Sequence, residues 1–287
     1  MAISIDSAYV RTFEANVRQL AQQTASKLRG YVRTVNKDSE SHRFDRLAAV
    51  TAVPKGSPRT VSPVSDAVWS GRKTLIGTFH AGEQIEPEDI TQMLADPKSE
   101  VTIAIAAAMN RQVDDIIIAD ATGAALDQDG SSVAFLASQT VGDYSGEISV
   151  DSILEIDQKF YDQDVDPDIK RCFVIGPKQR RKLLQLLEVT SGDYQNAKAL
   201  SNGFMPNFLG YDFIISTRLN IPTTDQIDCL VFTERAIGLH ISKDIWAKVA
   251  ERPDLSFNWQ LYAAMSMDSV RVEDEHLVKA AFADTVA

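Results

Sequence analysis

Apolar residues recur at steps of three and four in two stretches of the first half of the chain, and between them that period disappears. Residues 7–29, SAYVRTFEANVRQLAQQTASKLR, place Val10, Phe13, Val17, Leu20 and Leu28 on one narrow stripe with Gly30 after the end, which predicts an amphipathic helix. Residues 97–121 predict a second, longer helix. Asp96 can cap it, Pro97 fits the first turn, Glu100 suits the positive N-terminal end and Gly123 stops the run. At about 1.5 Å per residue this helix spans roughly 37 Å, the width of a compact domain. Ile105, Met109, Val113, Ile116 and Ile117 form its buried stripe, and Ala104, Ala106, Ala107 and Ala108 allow close approach of another backbone. Arg111 is expected to pair with Asp114 or Asp115 on the open side.

Between Phe44 and Gln84 the tract VPKGSPRTVSP sets Pro54, Pro58 and Pro63 around Gly56, between two strand-like runs, and reads as a long hairpin. Its second limb, Val64 to Phe79, could stretch about 50 Å at ~3.3 Å per residue, against a radius of gyration of roughly 19 Å for a compact chain of this length. Apolar alternation in both limbs is weak, so the hairpin is expected to overhang its own globule and lean on something else. Beyond the long helix, GAALDQDGSS reads as a loop and VDSILEIDQKFYDQDV as a helix. KRCFVIGPKQRRKLLQLLEV reads as a buried strand turning into a helix at Gly176 and Pro177. YDFIISTRL and DCLVFTERAIGLHI are strand candidates, and the last fifty residues alternate like sheet.

With 287 residues, 44% hydrophobic and 24% charged, the composition is that of a globular protein with one large domain or two smaller ones. The longest apolar run in the long helix, Ile103 to Met109, is far below the ~20 residues of a membrane span, and no leader-like pattern opens the chain. Cys172 and Cys229 lie far apart beside apolar neighbours and are expected as buried free thiols. A net charge of −11 argues against a conventional nucleic-acid-binding domain, but the charge is unevenly placed. Residues 27–73 hold ten of the 29 Lys and Arg and only four acids, so a basic segment is attached to an acidic body. Either it is a solvated face, or it lies on the acidic surface of another copy.

Catalytic patterns are faint. SGRKTL lacks the glycines of a phosphate-binding loop, and GDYSG around Ser145 lacks the spacing of a nucleophile elbow. His42, His80, His240 and His276 stand alone in sequence and are expected to be structural. DQDG (127–130) lacks the remaining ligands of a calcium loop and reads as a turn. EDEH (273–276) reads as a solvated turn, and KQRRK (178–182) as a basic helix face.

The order of parts, together with FEANVRQLAQQTASKLRG, FDRL, AAAMNRQVDDIIIADATG and FTERAIGLHI, resembles the major capsid proteins of tailed bacteriophages, whose fold is Hong-Kong-97-like. The resemblance implies an α+β fold with an N-terminal arm (1–43) and an extended loop (44–92). A peripheral domain (93–145 and 236–287) would carry the spine helix 97–121, and an axial domain would span 146–235. It implies a structural protein without cofactor, metal or catalytic residues, which forms the hexamers and pentamers of an icosahedral head around double-stranded DNA. The extended loop would lie over a neighbouring subunit, with Arg43, Arg46, Arg59, Arg72 and Lys73 as contact residues. The chain enters the arm after a few residues, so a separate scaffolding protein is expected, beside a portal at one vertex and a decoration protein. The alternatives are an encapsulin-type compartment and, from another class, a small-molecule enzyme with its site around Gly176.

Overall fold

The computed structural model describes residues 22–57, 66–86, 97–186 and 209–284. In chain order the strands are β1 (Arg33–Asn36), β2 (Ser41–Leu47), β3 (Trp69–Leu75), β4 (Gly77–Ile85), β5 (Ala125–Asp127), β6 (Ser132–Val133), β7 (Thr140–Val141), β8 (Arg171–Ile175), β9 (Tyr211–Ile215), β10 (Gln226–Thr233), β11 (Ile237–Arg252), β12 (Asn258–Arg271) and β13 (Leu277–Ala283). The helices are α1 (Pro97–Thr122), α2 (Val150–Asp162) and α3 (Pro177–Gln185). Two compact units result. One holds, of the described residues, 22–25, 78–86, 97–111 and Ile245–Met265; the other holds 26–77, 112–244 and 266–284, with 58–65 and 187–208 outside the described residues.

Helix α1 matches the predicted one to within a residue, and the apolar stripe from Ile105 to Ile117 is buried. Its predicted cap, Asp96, lies outside the described residues. The helix ends at Gly123, whose N–H bonds the Ala119 carbonyl at 2.9 Å and where a Cβ would lie 2.8 Å from that oxygen. The expected pairing of Arg111 is not found. Asp114 instead accepts from the Ser26 hydroxyl (2.6 Å) and from the backbone N–H groups of Lys27 and Leu28, while Asp115 pairs with Arg218. Arg111 turns to the Gln22 side chain and the Gln23 carbonyl. Buried backbone N–H groups outcompete an exposed i, i+3 partner because leaving them unpaired costs about 1–3 kcal/mol each.

The same contacts correct the arm helix. Residues 7–21 of that prediction lie outside the described residues, and 22–28 are irregular, leading into one 3-10 turn at Arg29–Tyr31. An N–H held by Asp114 is not available to a helical ladder, so Lys27 and Leu28 are fixed to α1. The side chain of Leu28 is nonetheless buried, as its place on the stripe required.

Strands β7, β13, β10, β8 and β9 lie in that order in a five-stranded sheet, with β10 antiparallel to both neighbours and β8 parallel to β9. Helix α2 begins at a capping box in which Ser149 and Ser152 bond each other's backbone, and it buries Ile153, Ile156 and Phe160. Arg171, at the start of β8, is buried against the rings of Phe160, Tyr161 and Tyr211 and pairs with Asp157 at 2.5 Å. Cys172 and Cys229 are buried free thiols, as expected. GAALDQDGSS is not a plain loop: β5 and β6 pair across it, with Gly130 at φ +87° in the turn. Four-residue turns closed by an αL glycine suit a tight reversal, and the calcium-like DQDG is that reversal.

Candidate functional site

The predicted hairpin is real at its root and divided further on. Strands β2 and β3 pair antiparallel from Ser41↔Leu75 to Leu47↔Trp69, and Ala48 N–H continues the ladder to the Val68 carbonyl at 3.0 Å. The expected single limb from Val64 to Phe79 breaks at Ile76, whose N–H bonds Glu40. After this break the chain enters β4, which belongs to the sheet β1-β11-β12-β4, whereas β3 belongs to β2-β3-β5-β6.

Phe44 anchors the root. It is buried with Ala125, Val270 and Val272, with Val35 packed alongside, and its ring fills the space over Gly238. A Cβ on Gly238 would meet that ring at 2.6 Å, so no larger residue fits there without displacing Phe44.

Of the five expected contact residues, Arg59 lies outside the described residues and the other four sit together on the root with different surroundings. Arg43 is exposed and paired with Asp45 at 2.5 Å on its own strand. Arg46 donates to the Val272 carbonyl at 2.9 Å. Arg72 is 3% exposed and donates to Asp274 at 2.9 Å. Lys73 lines a cavity beside β12.

Asp274 is shared by two guanidinium groups. Arg271, fully buried, bonds its other carboxylate oxygen, the carbonyls of Ala121 and Gly123 at the end of α1, and the Val133 carbonyl of β6. One carboxylate thus fastens the hairpin root to the last turn of α1. EDEH is therefore not a solvated turn: Asp274 is buried in this knot, and Glu273 pairs with His276 at 3.0 Å. The acidic residue types were legible, but Arg72 and Arg271 reach Asp274 only after folding.

Beyond the root the stem turns its apolar side chains outward. Leu47 is 53% exposed, Val68 66% and Trp69 63%, with Val50 and Val53 similarly open. Large apolar side chains left exposed on paired strand positions, such as Leu47 opposite Trp69, suit an interaction surface.

The histidines prove structural. His240 is buried between Thr74, Ser39 and the Lys37 carbonyl, His276 bonds Thr233, and His80 bonds Tyr262. Folding brings His42 and His240 together, with ring centroids 5.3 Å apart. Of KQRRK, Lys178 pairs with Asp284 and Lys182 with Glu147. Beside Gly176 lies a largely apolar hollow of about 240 Å³ lined by Pro177, Leu219 and Ile221, and burial pushes the nearby Cys229 thiol up to about 12, so that thiol stays protonated. A cleft of about 740 Å³ is lined by charges of both signs: Asp45 pairs with Arg43, Lys170 with Asp212 and Glu273 with His276. No group of three metal-ligating side chains occurs among the described residues, and none of their helices is long and apolar enough to cross a membrane.

Known capsid structures share this architecture. The capsid structure of the cyanophage P-SCSP1u superposes with a TM-score of 0.77 at 14% identity, covering 99% of this chain and 96% of that one. The capsid of Ralstonia phage GP4 gives 0.74 at 10% identity over 100% and 98%, and that of a native GTA particle 0.71 at 13% over 99% of each. At such identities the likeness establishes the fold, which is Hong-Kong-97-like. A comparison with curated protein sequences finds no match. The family model described as phage capsid protein matches residues 5–284, so the chain belongs to the phage capsid protein family.

Proposed function

We propose that this chain is the repeating tile of an icosahedral phage head, arranged as hexamers and pentamers around double-stranded DNA. The observation that carries the reading is the hairpin. Its root is clamped by Phe44 and by the Arg72–Asp274–Arg271 knot, while its stem exposes Leu47, Val68 and Trp69. A stem held firmly and apolar on its open side is suited to bury that side on the next copy, a heterologous contact that closes into rings. Arg43 and Arg59 supply charge to this contact, and the remainder of the acidic chain supplies its counterpart. Arg46 and Arg72 act from within, holding the root. A net charge of −11 suits a wall that encloses DNA without gripping it.

The assignment of residues 1–43 as arm, 44–92 as extended loop, 93–145 with 236–287 as peripheral domain and 146–235 as axial domain belongs to the same reading. So do a separate scaffolding protein, a portal and a decoration protein as partners, assembly in the host cytoplasm, and the absence of any catalytic role. Expression with candidate scaffolds, followed by negative-stain microscopy and nucleic-acid assay of purified particles, tests it. Closed or tubular particles are expected. A chain that stays monomeric at high concentration with every scaffold would overturn the reading, and shells filled with a protein cargo would replace it by an encapsulin-type compartment.

A further inference from the structure

On the hairpin root, β3, the last turn of α1 and β12 enclose a cavity of about 230 Å³ whose polar lining is Lys73, Asp120, Asp268 and Ser269. Each carboxylate joins two elements. Asp120 on α1 accepts from the Ser269 hydroxyl of β12 at 2.6 Å, and Asp268 on β12 accepts from the Leu75 N–H of β3 at 2.8 Å. The remaining lining, including Leu75, Ala125 and Val270, is uncharged, so Lys73 is the one cation of the cavity among the described residues.

We propose that this seam is a proton-operated joint: with a proton on Asp120 the cavity holds one carboxylate and one lysine, and on its loss two carboxylates share the space and loosen β3 from α1 and β12. Two ionised carboxylates in one small, partly buried site repel each other, so one of them holds its proton more tightly than an aspartate in solution. The surroundings act in that direction on both. Burial, followed by the charge of Asp268, raises Asp120 from 3.8 to about 6 against the opposing bonds from Ser269, and burial raises Asp268 against the N–H groups of Leu75 and Ser269. Asp120 therefore binds its proton more tightly in the folded chain than in the unfolded one. The stability of the seam falls as pH rises from about 4 to about 6, then stays at its lower level.

The joint is a property of the single chain, so its test does not depend on shell formation. Carbon-13 NMR of the Asp120 carboxyl in the unassembled protein should give a midpoint near 6. Hydrogen exchange of β3 and of 266–271, corrected for intrinsic base catalysis, should lose protection by about tenfold between pH 5 and 7.5, the change carried by one unit of pKa difference. In Asp120→Asn, which mimics the protonated state, that loss should vanish. A midpoint near 4, or an Asp120→Asn chain with the pH dependence of the parent, overturns the proposal. Should that variant fail to fold, Ser269→Ala decides: removing the hydroxyl that favours the carboxylate must raise the Asp120 midpoint, and an unchanged midpoint overturns the joint as described.

Discussion

Strands β8 and β10 bury nearly every side chain, whereas the β2–β3 stem leaves Leu47, Val68 and Trp69 in water. In the five-stranded sheet successive residues of β8 and β10 are buried, so both faces are covered, and on one of them Phe173 stacks on Phe213 at 5.2 Å and meets Tyr211 edge-on at 6.0 Å. The stem is narrow, and among the described residues the packing under it is that around Phe44 at its root. A two-stranded ribbon without a covering layer is marginal in water, so the stem depends on its clamp and, in the function proposed above, on a neighbouring copy. The contrast separates residues that stabilise the fold from those kept for assembly.

The sharpest way to break this comparison is to truncate one aromatic from each region. Phe173→Ala should lower stability by about 3–5 kcal/mol in denaturant titration, whereas Trp69→Ala should stay within about 0.5 kcal/mol of the parent yet reduce particle yield. A large stability loss at Trp69 would mean that the stem has a private core after all. The root clamp should behave like the sheet. Asp274→Ala strands two buried guanidinium groups and should destabilise by about 3–5 kcal/mol, with Arg72→Met milder because Asp274 keeps Arg271.

Smaller effects sharpen the assembly side. Arg43→Glu with Arg59→Glu should leave the thermal melt of the unassembled chain unchanged and lower particle yield at low salt. Each exposed pair contributes only ~0.2–1 kcal/mol, but the contact repeats around every ring. At 1 M salt, where the screening length is about 3 Å, the double variant should recover. Yield equal to the parent at low salt would make the tract a solvated face.

The smallest effect concerns His42. Burial, then the charges of His240, Lys37 and Arg33, hold its ring below the ordinary 6.5 against a lesser pull from Asp45. A depressed folded value means that its contribution is present above pH 6.5 and is lost as pH falls through the folded value. His42→Gln should therefore flatten the acid limb of the stability profile slightly, in the sense opposite to Asp120→Asn.

Helix α1, the buried strand β8, the turn into α3 at Gly176 and the two free thiols were determined by the sequence alone, because period, capping chemistry and local apolar density act within a few residues of one another. The hairpin was legible in part: its β2–β3 root pairs as the sequence suggested, whereas the break at Ile76 into β4 and the core around Phe44 depend on strands from distant segments. What only the tertiary structure decided is which charges are spent inside. Arg72 and Lys73 are neighbours in sequence with the same charge, yet alternation across β3 sends one to Asp274 and the other to the Asp120–Asp268 cavity. Asp114 likewise gave no sign that it would capture Ser26, Lys27 and Leu28, more than eighty residues away, and so keep 26–28 out of a helix. Burial of a charge depends on partners that distant segments bring to it, and that pairing is fixed only when the strands and helices have packed.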